Sequence, residues 1–442
     1  MPASKVRFIV AGFASALFLP WQANAELQLT AEEKLGKQLF SDQDLSLNRN
    51  QSCATCHSLK KVNSGKLGIN LPSPGFVDPQ NVLTGSPVSA GSVAGQHGVL
   101  NAPSVGYAAF SPFFHWDGNE GLYIGGQFWN GRAATLADQA KQPFMNPREM
   151  AMPNAWAVVG RLQEKPRYVQ AFRKIYGLDL AQIPTYSVRD SEAIFSHGKR
   201  RNRHGNEFRP FELTPPGVNE IYNKIAQAIA AFEKSRFFNR FTSKFDFYLI
   251  GQTTLNEQET KGLQLFEGKA LCSACHVSET TIAPDGSEFP PLFTDFTYDN
   301  IGVPRNDNIF GNPEPDLGLG GREDIAERDP EGNEIGKHKV MSLRNIAITP
   351  PYAHNGFFPT LESIVHFYNT RDVANAGWQE PEIPRNVNDE ELGNLGLSAE
   401  EEAALVAFLQ TLTDGYPEWG NDPNVPVGTP SPYAATPFPS FP

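Results

Sequence analysis

Two stretches of this chain repeat one alternation of apolar and polar residues: Leu29–Phe40 (LTAEEKLGKQLF) aligns with Leu255–Phe266 (LNEQETKGLQLF). Each opens on a capping residue, Thr30 or Asn256, with a glutamate three positions on, Glu33 or Glu259. That pairing lets side chain and backbone satisfy each other at a helix start, so both stretches predict helices. Each then carries a glycine and ends on a Leu-Phe pair. Ile221–Arg236 (IYNKIAQAIAAFEKSR) predicts an amphipathic helix closing the first unit. Ser398-Ala399-Glu400-Glu401 predicts another capped start, after which Leu405, Phe408, Leu409 and Leu412 share one face. Leu361, Ile364, Val365 and Tyr368 fall at i, i+3, i+4 and i+7, which puts the Tyr368 phenol on a buried face in need of a partner. Strand signal is weak. Long Gly/Pro/Asn-rich loops fill Asn63–Ser104 and Pro284–Lys337. The expected fold is mainly α, in two tandem units with long loops and little strand.

The ends of the chain depart from this pattern. Lys5 and Arg7 precede an apolar run from Phe8 to Leu19, and Ala23-Asn24-Ala25 has the small-residue form of a cleavage site. This predicts a secretory signal peptide, with the mature protein starting at Glu26 and exported, most simply to a bacterial periplasm. No later stretch has the apolar length of a membrane helix. From Tyr416 the chain is Pro-rich, and 423–442 carries no charged side chain, as expected of a disordered or extended tail. The expected division is 1–25 signal peptide, 26–240 and 241–415 the two units, and 416–442 the tail.

The whole chain has 37 basic and 49 acidic residues, a formal charge of −12. Such a balance favours basic partners and disfavours nucleic acid, although it serves solubility equally well. The basic run His197-Gly198-Lys199-Arg200-Arg201-Asn202-Arg203-His204 is the exception, either a docking loop or a solvated insertion.

The cysteines change the picture most. All four lie in two strings, Cys53-Ala54-Thr55-Cys56-His57 and Cys272-Ser273-Ala274-Cys275-His276. Cys-x-x-Cys-His is the attachment pattern of c-type haem: two thiols bond the haem vinyls and the histidine ligates the iron. A thioredoxin-like pair needs no histidine after each motif. Paired zinc-binding motifs usually lie a few tens of residues apart, and disulfide frameworks belong to short, cysteine-dense chains. Two covalently bound haems are therefore expected. The repeated helix before each motif resembles the N-terminal helix of cytochrome c, so the two units are expected to be cytochrome c-like.

Further strings follow in order: Asn101-Ala102-Pro103-Ser104, Phe128-Trp129-Asn130-Gly131-Arg132, Leu136-Ala137-Asp138-Gln139-Ala140 and Asn146-Pro147-Arg148-Glu149-Met150. After the second haem motif come Leu343-Arg344-Asn345, Thr349-Pro350-Pro351-Tyr352-Ala353-His354-Asn355-Gly356 and Thr360–Tyr368. Together these resemble the bacterial dihaem cytochrome c peroxidase superfamily, which includes MauG, over about Leu29 to Leu412.

The resemblance implies that hydrogen peroxide reacts at the N-terminal, His57 haem. Glu149 would be the acid–base residue, Gln139 a residue orienting peroxide, Pro143 part of the distal pocket and Trp129 an electron relay between the haems. Asn130 stands where an aspartate is more usual, removing a negative charge beside Trp129 and Arg132, and Phe114–Gln127 is longer than in simple members. Tyr368 matches the tyrosine of MauG-like members, where ordinary peroxidases carry methionine as the second ligand of the His276 haem. A hard oxygen donor there lowers the reduction potential. Met341 is the nearest alternative thioether. The resemblance also implies calcium at Asn101, Thr349 and Pro351. His97 is a candidate cap on the first iron, in imperfect register, and His354 reads as structural or propionate-side.

Three functional expectations stand side by side. One is a scavenging peroxidase fed by a small cytochrome c or cupredoxin. Another is a MauG-like enzyme that oxidises Trp or Tyr side chains of a partner protein. The third is a non-catalytic dihaem electron carrier. A homodimer is compatible with all three.

Overall fold

A computed structural model describes residues 28–64, 69–186, 214–282, 286, 288–311 and 314–434. The expected signal peptide, the basic run 197–204 and residues 435–442 lie outside the described residues.

The sequence repeat is a repeat in space. The first lead-in helix, Ala31–Phe40, begins with the expected capping box: the Thr30 amide donates to Glu33 Oε2 at 2.6 Å and the Glu33 amide to Thr30 Oγ1 at 3.2 Å. The second, Glu257–Glu267, does the same with Asn256 and Glu259, both bonds at 2.8 Å. Each crosses its closing helix, Val218–Lys234 or Ala399–Gln410, at the repeated glycine. A Cβ on Gly36 would stand 1.9 Å from the Ala228 carbonyl oxygen, and one on Gly262 would stand 2.0 Å from that of Ala404. The phenylalanine four residues after each glycine meets its counterpart: Phe40–Phe232 centroids are 5.7 Å apart and edge-on, Phe266–Phe408 centroids 5.2 Å apart and tilted. Close backbone approach is why glycine stands at both crossings.

Gly36→Ala therefore forces the helices apart against a backbone carbonyl that cannot rotate away. It should cost about 1–3 kcal/mol, as overpacking does. Denaturant unfolding of the holoprotein followed by far-UV circular dichroism measures this; an unchanged midpoint would contradict the close crossing.

Among the described residues, the first unit also holds three longer helices that periodicity did not reveal: Leu136–Met145, Ala155–Gln163 and Pro166–Tyr176. Ala155–Gln163 buries Trp156, Ala157, Val158, Val159 and Leu162, nearly all round, so it has no polar stripe to read. Strands among the described residues are four short two-stranded antiparallel ribbons. Two matter below: His115–Asp117 with Leu122–Ile124, and Tyr298–Asp299 with His338–Lys339.

Buried polar groups join the units. Asp414 accepts from the Tyr107 hydroxyl at 2.9 Å, from Thr242 N at 2.9 Å and from Asn345 Nδ2 at 2.9 Å. Within the second unit, Arg344 pairs with Asp246 through two bonds at 3.1 and 3.0 Å, both side chains fully buried.

The Pro-rich end departs from the expected disordered or extended tail as far as it is described. Tyr416–Trp419 is a short helix, Val425 is buried with Phe247 and Tyr416, and the Tyr433 ring lies 6.0 Å from Phe241. Lack of charge, which suggested a loose tail, also leaves these apolar groups free to bury, and proline lessens the entropy lost in doing so.

Candidate active site

Each Cys-x-x-Cys-His string forms a tight turn on the wall of a cavity. Cys53–Cys56 is one helical turn and Cys272–Ala274 a 3₁₀ turn. Cys53, Cys56 and His57 line the first cavity; Cys272, Cys275 and His276 line the second. His57 Nδ1 lies 3.2 Å from the Phe76 carbonyl oxygen, and His276 Nδ1 2.9 Å from that of Phe293. Phe76 and Phe293 both take positive φ, 56° and 55°, an uncommon conformation for a large side chain, which turns the accepting carbonyl toward the ring. An Nδ1–H spent on a carbonyl leaves Nε2 with its lone pair. Burial holds both imidazoles below their usual pKa, hence neutral. Two thiols and one neutral imidazole are the donor set of a covalent c-type haem. Two buried polar atoms on the first cavity wall, Gln51 Oε1 and Glu233 Oε2, have no protein partner, as in a space shaped for a further group.

The first cavity also brings together Gln139, Pro143 and Glu149. Gln139 and Pro143 sit one turn apart in helix Leu136–Met145. The chain then turns so that Glu149 N donates to Asn146 O at 3.0 Å and Asn146 Nδ2 to Glu149 Oε1 at 2.6 Å. Burial raises the Glu149 pKa above the usual glutamate value, while Arg132 and the Asn146 bond oppose it. Arg132 lines the same cavity. Its Nε donates to Gln142 Oε1 at 2.9 Å, and its guanidinium lies 3.5 Å from the Phe128 ring centroid. Asn130 accepts from Arg132 Nη1 at 3.3 Å and brings no negative charge. The Arg132 charge acts on Glu149 and on Asp316, another carboxylate of the cavity lining.

Trp129 lines both cavities. Its indole N–H donates to Asn101 O at 2.9 Å, and its own carbonyl accepts from Lys339 N at 2.7 Å. In the second cavity Leu361, Ile364, Val365 and Tyr368 form one wall, from helix Leu361–Thr370, and Met341 lies on the lining as well. The Tyr368 hydroxyl makes no hydrogen bond to a described residue, unlike the buried hydroxyls of Tyr107 and Tyr352. Burial raises its pKa well above the usual tyrosine value.

Other expected residues fall as follows. His97 is not on the first cavity wall; its Nδ1 faces the Gly98 carbonyl at 3.0 Å. His354 lines the second cavity, stacked on His338 at 3.7 Å, with Nε2 3.1 Å from Glu382 Oε2. Asn101, Thr349 and Pro351 line a small third cavity beside Trp129, where Asn101 Nδ2 is 2.6 Å from Pro351 O.

Known proteins bear on this geometry. The family model described as di-haem cytochrome c peroxidase matches residues 30–254. The methylamine utilization protein MauG of Paracoccus denitrificans is 35% identical over 418 residues, covering 90% of this chain and 93% of that protein. The cytochrome c551 peroxidase of Nitrosomonas europaea is 28% identical, covering 87% and 81%. Among solved structures, the diheme peroxidase BthA from Burkholderia thailandensis superposes with TM-score 0.67 at 28% identity, covering 94% of this chain and 92% of that one.

Proposed function

Since the chain belongs to the di-haem cytochrome c peroxidase family, we propose that it is an oxidoreductase reducing hydrogen peroxide at its first cavity, with the second cavity supplying or storing oxidising equivalents. The observation carrying this reading is the convergence of Gln139, Pro143 and Glu149 on the cavity lined by Cys53, Cys56 and His57. A non-catalytic electron carrier has no use for that set.

Cys53 and Cys56 would hold one haem covalently, with His57 as ligand; Cys272, Cys275 and His276 would hold the other. Bound haem supplies the redox-active iron. The chain's own residues govern protons and access. Glu149, as carboxylate, takes the proton from one peroxide oxygen and delivers it to the other, and Gln139 orients the substrate by hydrogen bonding. The overall reaction takes two electrons and two protons and gives two waters. Trp129, on the lining of both cavities, is the relay between them. Calcium at Asn101, Thr349 and Pro351 would tie the units together through oxygen donors, which requires the Asn101 amide to turn over, since its Nδ2 donates to Pro351 O at 2.6 Å. The N-terminal leader points to export to the periplasm. No described helix is long and apolar enough to cross a membrane. The electron donor on this reading is a small cytochrome c or cupredoxin.

A second reading is favoured by Tyr368. Its hydroxyl, with no hydrogen bond to a described residue, would give a haem held in the second cavity an oxygen donor, which fits MauG-like storage of oxidising equivalents used on Trp or Tyr side chains of a partner protein. Peroxide added to the diferric holoprotein separates the two readings. A long-lived near-infrared charge-resonance band supports the second, and a requirement for prior half-reduction supports scavenging.

The proton role makes a pH prediction. A base must be ionised, so turnover falls as pH drops through the raised Glu149 pKa, and the acid limb of kcat/KM lies above the ordinary glutamate range. Arg132 pulls that pKa down, so Arg132→Gln should move the limb to higher pH. A limb that stays in place would remove Arg132 from the electrostatics of the site.

A further inference from the structure

The stretch Phe114–Gln127, longer than expected from the family resemblance, forms a hairpin that carries an aromatic file from solvent to the backbone beside Trp129. Its outermost ring, Trp116, is 51% exposed. Trp116 pairs across the hairpin with Tyr123, their ring centroids 4.8 Å apart and edge-on. Tyr123 stacks on Phe114 at 5.2 Å and 7°, and Phe114 meets Tyr298 edge-on at 6.0 Å. Tyr298 reaches the backbone on either side of the relay. A Cβ on Gly131, two residues after Trp129, would stand 2.0 Å from the Tyr298 hydroxyl oxygen. Tyr298 also pairs with Lys339, whose amide donates to the Trp129 carbonyl at 2.7 Å. Arg322 makes a second bridge: its guanidinium lies 4.0 Å from the Phe114 centroid and donates to Asn130 O at 3.2 Å.

We propose that Trp116 is a surface oxidation site, from which oxidising equivalents generated inside reach electron-rich aromatic reductants too large to enter either cavity. This rests on the peroxidase reading above. An indole can lose an electron and keep its N–H, whereas a phenol must give up its proton to an acceptor. Tyr298 donates to a backbone carbonyl, Gly125 O, which is no base. The Arg322 charge over Phe114 disfavours positive charge on the inner rings, so the electron vacancy settles on the outer indole. Trp116 then takes one electron from a reductant molecule, and solvent supplies the protons that peroxide consumes. Two such events match the two electrons that peroxide consumes, giving two waters and two one-electron-oxidised reductant molecules.

The test uses diferric holoprotein, peroxide, a nitroso spin trap with peptide mass mapping, and the bulky dye ABTS as reductant. The expected result is a trapped adduct on Trp116. Trp116→Phe should lose the adduct and lower ABTS oxidation about tenfold or more, with the rate of the protein's own reaction with peroxide unchanged. Peroxide consumption with no adduct at Trp116, or undiminished ABTS oxidation by Trp116→Phe, overturns the inference and leaves the peroxidase reading standing. A holoprotein that does not react with peroxide overturns both.

Discussion

Glu149→Gln is expected to lower kcat/KM for peroxide by roughly 10²–10⁴, the usual scale of a lost general acid–base group, with both haems retained. The substitution keeps shape and hydrogen bonding: the amide oxygen of the new side chain can still accept from Asn146 Nδ2, which now lies 2.6 Å from Glu149 Oε1. What it removes is the capacity to take a proton from one peroxide oxygen and hand it to the other. Burial gives that carboxyl its raised pKa, nearer the pH at which a base of this kind transfers protons well. Steady-state peroxide assays beside a pyridine-haemochrome count separate loss of chemistry from loss of cofactor. Turnover close to wild type with two haems present would take Glu149 out of the mechanism.

Tyr368→Met should raise the reduction potential of the C-terminal haem by on the order of 0.1 V or more, within the ~0.8 V over which axial ligands move haem potentials. A phenolate oxygen is hard and anionic and stabilises the oxidised metal; a thioether is soft and neutral and stabilises the reduced one. The hydroxyl makes no hydrogen bond to a described residue, and Tyr368 lines the cavity that His276 also lines. Tyr368→Phe, with no donor at all, should open that position to exogenous ligands. Spectroelectrochemical titration reads both variants. A potential that does not move in Tyr368→Met would leave Tyr368 a wall residue, and Met341, on the same lining, would be the next donor to test.

Much of this was legible because it was written twice. The paired Gly36 and Gly262, each ahead of a Leu-Phe pair, gave away two like helix crossings, and the capping boxes at Thr30, Asn256 and Ser398 all formed. The haem strings were legible because their residues are adjacent in sequence. Helix Ala155–Gln163 was not, since burial on nearly all sides erases amphipathic period. Arg132 escaped notice as a partner of Glu149 because its effect depends on a fold-back between a loop and the turn after a helix. The Trp116 file escaped for the same reason: hairpin and Tyr298 meet only in space, 173 residues separating Tyr298 from its acceptor Gly125.

One low-temperature EPR spectrum of the purified diferric holoprotein bears most directly on the whole account, which holds that the first iron is open to substrate and the second closed by Tyr368. The expected result is one high-spin and one low-spin ferric signal that integrate to equal spin concentrations, with only the low-spin signal altered in Tyr368→Phe. Two low-spin signals, both unaffected by that substitution, would contradict it.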